Sequence, residues 1–138
     1  MTTARDVMTA DAHCVASDQT AKDAARLMGE LGVGAVPICG KDNKVKGVVT
    51  DRDLVVKVLD QGRDAASFPA GDLNQNEAIT IGADDTVQDV LATMTNHKVR
   101  RLPVIDQDRL VGMVALADIT RAVPYAETGE LVEALSAE

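Results

Sequence analysis

Apolar residues recur along this chain at two spacings. Ala24, Leu27, Met28 and Leu31 lie three or four apart, as do Val87, Val90, Leu91 and Met94. That spacing puts each set on one face of a helix. Thr20, with Asp23 three residues later, can cap the first helix as a capping box, and Asp84 or Asp85 can cap the second. Continuous apolar runs predict strands at about Ala35–Cys39, Val45–Thr50, Arg101–Ile105 and Leu110–Val114. The polar turns Gly40-Lys41-Asp42-Asn43 and Asp106-Gln107-Asp108 join them as hairpins. Shorter strands are expected at about His13–Ala16 and Ala78–Ile81, and further helices open near Asp51 and Leu116. Each half reads strand-helix-strand-strand-helix. A strand-helix-strand step followed by a hairpin implies a small mixed sheet covered by helices, of the α/β (α+β) class.

The two halves are copies. Asp6 matches Asp72, Thr20 matches Thr86, Met28 matches Met94 and Pro37 matches Pro103, all offset by 66 (72 − 6). One residue is lost in the second hairpin, so Gly47 matches Gly112 at 65 (112 − 47). Two copies are expected to pack about a pseudo-twofold axis rather than to stack as an array. The boundaries read as a first repeat at 4–60, a linker at 61–77, a second repeat at 78–123 with a lead-in from about 70, and a tail at 124–138. The linker is rich in Gly, Asp and Asn. In the tail, Leu131, Val132 and Leu135 fall on one side of a short helix.

Composition narrows the function. Phe68 and Tyr125 are the only aromatics, so the core is aliphatic and there are no platforms for single-stranded nucleic acid. A net charge of −8 argues against general binding to nucleic acid or anionic membrane. No apolar run approaches the roughly 20 residues of a membrane span, and the N-terminus lacks a signal-type segment. A cytoplasmic location is expected. No nucleophile-base pair, phosphate-binding glycine loop or closed metal set stands out, so no catalytic residue is assigned and the chain is read as not an enzyme.

The tandem repeat carries Pro37-Ile38-Cys39 and Pro103-Val104-Ile105-Asp106 in its second strands. Gly47-Val48-Val49-Thr50-Asp51-Arg52-Asp53 closes the third strand of the first copy, and Gly112-Met113-Val114-Ala115-Leu116-Ala117-Asp118 that of the second. This pattern resembles a tandem CBS-domain pair, the Bateman module, over about residues 4–123. No enzyme or transporter is attached, so the chain is similar to stand-alone members of the actinobacterial hypoxic-response type. The resemblance implies a homodimer of disc shape and an adenosyl ligand between the repeats, such as AMP, ADP, ATP, NAD or S-adenosylmethionine. It implies an effector protein of unknown identity, and no required cofactor.

The resemblance also assigns residues. Thr50 and Asp53 would hydrogen-bond a ribose, though the same two residues also make an ordinary helix cap. Asp118 keeps the carboxylate in the second copy, where Ala115 has lost the hydroxyl. Arg100 and Arg101 would clamp a phosphate with planar donors suited to it, or else form a solvated junction. The first copy has Gly34 and Ala35 there, so one complete site per chain is expected, joining Thr50 and Asp53 to Arg100 and Arg101. Val48 and Ile79 would flank the adenine, unless they are plain core.

Cys14 and Cys39 fall in neighbouring strands of the first repeat. They read as buried apolar residues, or as a disulfide or thiol pair. With His13 they offer three soft ligands, fewer than zinc normally takes, and no metal is assigned. Two functions follow: a regulatory adenosyl-ligand sensor acting in stress or energy response, or a redox- or stress-responsive structural protein with a decayed nucleotide site and a Cys14/Cys39 switch.

Overall fold

The computed structural model describes residues 2–10, 12–74 and 78–122. The chain opens with one helical turn, α1 (Ala4–Val7), and a two-residue strand, β1 (Thr9–Ala10), neither of which the apolar pattern predicts. There follow β2 (Val15–Ala16), α2 (Ala21–Leu31), β3 (Ala35–Cys39) and β4 (Val45–Thr50). These strands form a sheet in the order β2-β3-β4, parallel between β2 and β3 and antiparallel between β3 and β4. The Thr20 hydroxyl accepts from Asp23 N at 3.2 Å while Asp23 Oδ2 accepts from Thr20 N at 3.0 Å, so the predicted capping box starts α2. Gly32 ends it at φ 66°, the left-handed conformation that glycine tolerates. Val15, Ala24, Met28, Val36, Ile38 and Val49 form the core.

A short helix, α3 (Asp51–Leu54), runs on into a π turn at Val55–Leu59. Val58 points inward at 5% exposure, whereas Val55 and Leu59 are 53% and 75% exposed.

The second copy contains β5 (Ile81–Gly82), α4 (Val87–His97), β6 (Arg101–Asp106), β7 (Arg109–Ala115) and α5 (Leu116–Thr120). Its register repeats that of the first. Ile81 pairs with Val104 as Val15 pairs with Ile38. The mixed α/β class and the element order within each copy agree with expectation. The first strand of each copy is shorter than predicted, and in the second it begins at Ile81. In the first copy the strand ends at Ala16 as expected but lacks His13 and Cys14, and Gln19 Oε1 takes the Ala16 N–H at 2.8 Å.

The larger departure concerns which residues build each unit. His13–Ala78 form one compact unit, and the residues before His13 join those from Ile79 onward in the other. Thr9 and Ala10 pair with Met113 and Gly112, making β1 the edge of the sheet β1-β7-β6-β5. A Cβ on Gly112 would lie 2.7 Å from the Thr9 carbonyl oxygen, so the strand contact requires glycine. Ala4 N donates to Asp85 O at 2.8 Å and Arg5 N to Ala83 O at 2.9 Å.

The counterpart segment before the second repeat does the same to the other unit. Ala70 N donates to Gln19 O at 2.7 Å and Gly71 N to Ser17 O at 2.9 Å, and Ala70 and Leu73 are fully buried there. Phe68 packs beside them. In the stretch read as a linker, Ala70 and Leu73 are therefore core, and no residue of 61–69 is fully buried. Its Gly-, Asp- and Asn-rich composition reflects turns rather than slack. The predicted helix near Leu131 lies outside the described residues.

Candidate functional site

Thr50 ends β4 with extended backbone, and its C-terminal neighbours turn at once into α3. The Thr50 hydroxyl accepts from Asp53 N at 3.1 Å, and Asp53 Oδ2 accepts from Thr50 N at 2.8 Å. The cap expected for these residues is thus present. Its electrostatic logic is that a carboxylate lies near unpaired N–H groups at a helix start.

This box differs from two others in the chain. In Thr20–Asp23 and Thr3–Asp6 the threonine hydroxyl also donates to the carboxylate, at 3.0 and 3.1 Å. Those bonds help hold Asp23 and Asp6 below the usual carboxylate pKa, after the larger effect of the backbone N–H. Among the described residues no such bond consumes the Thr50 hydroxyl proton. Asp53 Oδ1 faces Lys57 Nζ at 3.4 Å. The site therefore offers one hydroxyl donor and one loosely held carboxylate oxygen, both half-buried at a strand end.

Lys57 was not singled out by sequence. It also donates to the Leu73 carbonyl. Its signal is the i,i+4 spacing from Asp53 on a helix. Asn74, a residue without a sequence signal, donates from Nδ2 to the Val48 carbonyl at 2.7 Å. Val48 itself is half-buried opposite Pro37. Ile79, in the other unit, is packed against that unit's core.

In the second copy Ala115 N donates to Asp118 Oδ2 at 2.8 Å, the same cap without a hydroxyl. Arg101 starts β6 directly opposite Ala115, and the Arg100 carbonyl accepts from Leu116 N at 2.8 Å. Both arginine residues are exposed. Within one unit, then, the structure brings Thr50 to Asp53. Within the other it brings the arginine pair beside the turn that carries Asp118.

Cys14 and Cys39 are both free thiols. Cys39 is buried at the end of β3, and Cys14 is half-exposed just before β2. The Cys39 thiol brings the Cys14 thiol down to about 7, while the Cys14 thiol and burial push Cys39 up. Cys14 lines a cavity of about 180 Å³ with Gln19, Asp23, Arg26, Leu27 and Glu30.

A model of the CBS domain matches residues 4–60 and 70–125. Hypoxic response protein 1 of Mycobacterium tuberculosis is 43% identical over 135 residues, covering 98% of this chain and 94% of that protein. The CBS domain-containing protein YhcV of Bacillus subtilis is 36% identical over 119 residues, covering 86% of this chain and 84% of its own length. The crystal structure of Hypoxic Response Protein I with two coordinated zinc ions superposes at TM-score 0.83 with 45% identity, covering 89% of this chain and all of that one. The structure of CBSX2 in complex with AMP superposes at TM-score 0.75 with 26% identity, covering 88% and 96%. The described residues of this chain hold no ready zinc cluster of their own. No group of three or more His, Cys, Asp or Glu converges there, and Cys14 and Cys39 supply only two donors where zinc normally takes four, or three and water.

Proposed function

The chain belongs to the CBS-domain family, and from that premise we propose that it is a non-catalytic sensor that binds an adenosyl ligand through Thr50 and Asp53. One observation carries this reading. The Thr50 hydroxyl accepts one internal bond and keeps its proton, as the Thr86 hydroxyl of the α4 box also does, and Thr50 alone of the two stands at the end of a sheet strand beside a carboxylate oxygen, Asp53 Oδ1, that faces a lysine. A ribose diol needs one acceptor and one donor, and Asp53 Oδ1 and the Thr50 hydroxyl match that need. The AMP bound by CBSX2 supports the choice of ligand class. Arg100 and Arg101 as phosphate clamp, and Val48 and Ile79 beside the adenine, extend the proposal. Asp118 alone makes a weaker second contact set, short by about 1 kcal/mol for one neutral hydrogen bond.

A homodimer fits the same reading. Val55, Val56 and Leu59 leave apolar surface exposed on consecutive turns, which a second copy would cover. Similarity to hypoxic response protein 1 supports a proposed role in stress or energy response.

The test is thermal melting with AMP, ADP, ATP, NAD and S-adenosylmethionine in turn. A ligand at 100 times its Kd stabilises by about 2.7 kcal/mol. A flat panel at millimolar ligand sinks the proposal. Arg100→Ala with Arg101→Ala should weaken phosphorylated ligands and leave adenosine itself unchanged.

A further inference from the structure

The turn that carries Thr50 and Asp53 has polar neighbours that its copy lacks. Lys57 Nζ lies 3.4 Å from Asp53 Oδ1 and donates to the Leu73 carbonyl. Asn74, next to Leu73, donates from Nδ2 to the Val48 carbonyl at 2.7 Å, two residues before Thr50. In the other copy Thr50 matches Ala115 and Lys57 matches Ala122, both offset by 65 (122 − 57), and Asn74 matches Met8 at 66 (74 − 8). That copy makes the same turn, with Asp118 as its carboxylate, without hydroxyl, ammonium or amide. The shared scaffold therefore requires none of the three, yet in the His13–Ala78 unit all three stand at the end of β4.

Lys57 is held at both ends. Its backbone lies in the π turn at Val55–Leu59, four residues after Asp53. Its ammonium is tied to the carbonyl of Leu73, a fully buried residue, so the charge stays beside Asp53 instead of swinging into solvent. Asn74 braces the chain at that anchor. The ion pair itself is not closed: 3.4 Å exceeds the roughly 2.7–2.9 Å of a charge-assisted hydrogen bond. Asp53 Oδ2 already takes the Thr50 N–H at 2.8 Å, so Oδ1 is the oxygen left for a ligand, and Lys57 is the cation that faces it.

We propose that Lys57 is a specificity-determining residue of the ribose site, donating to the same diol hydroxyl that gives its proton to Asp53 Oδ1. The proposal rests on the ribose reading above and adds the residue that completes the bonding of the diol. One hydroxyl gives to Asp53 and accepts from Lys57, and the other accepts from Thr50. A hydroxyl placed between a fixed carboxylate and a fixed ammonium makes two charge-assisted bonds at once. The site then favours an intact cis-diol over a sugar that lacks it, because the pair of charges has nothing else in the ligand to share.

The test is titration calorimetry of the full chain with AMP and with its 2′,3′-dideoxy analogue. Wild type should favour AMP. Lys57→Met keeps the apolar stem and removes the ammonium. It should weaken AMP by roughly tenfold or more, as for one hydrogen bond to a charged group, and leave binding of the dideoxy analogue unchanged. Melting checks that the variant is folded. If it is not, Lys57→Gln, which keeps a donor for the Leu73 carbonyl without the charge, takes its place with the same expected split. Equal losses for the two ligands make Lys57 a structural residue only, and no loss for either makes it a bystander. Both results overturn the proposal while leaving the ribose reading standing. A wild type that does not bind AMP, or binds it no better than the dideoxy analogue, overturns the ribose reading for AMP and this inference together.

Discussion

The turn from β4 into α3 and the turn from β7 into α5 share a backbone but differ in one side chain. Thr50 sits at φ −111°, ψ 163° and Ala115 at φ −110°, ψ 158°. Asp53 and Asp118 each accept the preceding N–H at 2.8 Å. Asp51 N reaches the Gly34 carbonyl at 3.0 Å as Leu116 N reaches that of Arg100 at 2.8 Å. The turn is therefore built by the carboxylate and the backbone strap. The hydroxyl is not needed for its shape, as the alanine copy demonstrates. A hydroxyl that stabilises the turn without setting its shape, and still has its proton to give, is where a ligand role has room.

The comparison can be broken first in the segments that lead into each copy. Leu73 is fully buried, and its counterpart Val7 is only partly so. Leu73→Ala should cost about 2–5 kcal/mol, and Val7→Ala less, in denaturant unfolding. Equal costs would mean that the two lead-ins bear the same load.

The next largest effect separates ligand from cap. Asp53→Ala and Asp118→Ala remove the same backbone bond. Only Asp53→Ala should abolish the ligand-induced stabilisation of about 2.7 kcal/mol at 100 times Kd. Equal loss in both variants would reduce Asp53 to a cap.

Exchanging the side chains sharpens the point. Thr50→Ala should cost about 1 kcal/mol of stability, and Ala115→Thr should gain a similar amount by restoring the cap. If Thr50→Ala leaves ligand affinity intact, the hydroxyl has no ligand role.

The smallest effect is on acid stability. Asp23, in its closed box, has a folded pKa below the ordinary 3.8. Its contribution is full above that value and falls away as pH drops through the folded pKa. Asp23→Asn should flatten the acid limb of the stability curve, and an unchanged limb would show that the box does not couple to folding.

Much of this was legible in the sequence. Thr20 and Asp23 announce α2, and the apolar runs place β3, β4, β6 and β7 to within a residue or so, because these signals are local. Cys14 and Cys39 could be placed in neighbouring strands, but their relative placement depends on a parallel register that no local signal sets. The destinations of Ala4–Ala10 and of Ala70–Leu73 were not legible either. Their partners lie far along the chain, and Leu73 is a single buried residue in a polar stretch. Lys57 escaped notice because an exposed-looking lysine carries no mark of its carbonyl partner.

The attachment of β1 to β7 has a consequence for synthesis. Thr9 pairs with Met113, 104 residues later (113 − 9). The unit His13–Ala78 can close while the rest of the chain is still being made, since all its strands are in hand by then. Thr9 and Ala10 must wait for β7, the last described strand, before they are paired. Until β7 emerges, Thr9 and Ala10 have no sheet to join, and such long-range pairing is the slow part of folding. Thr9 and Ala10, made before the His13–Ala78 unit, are thus placed after it.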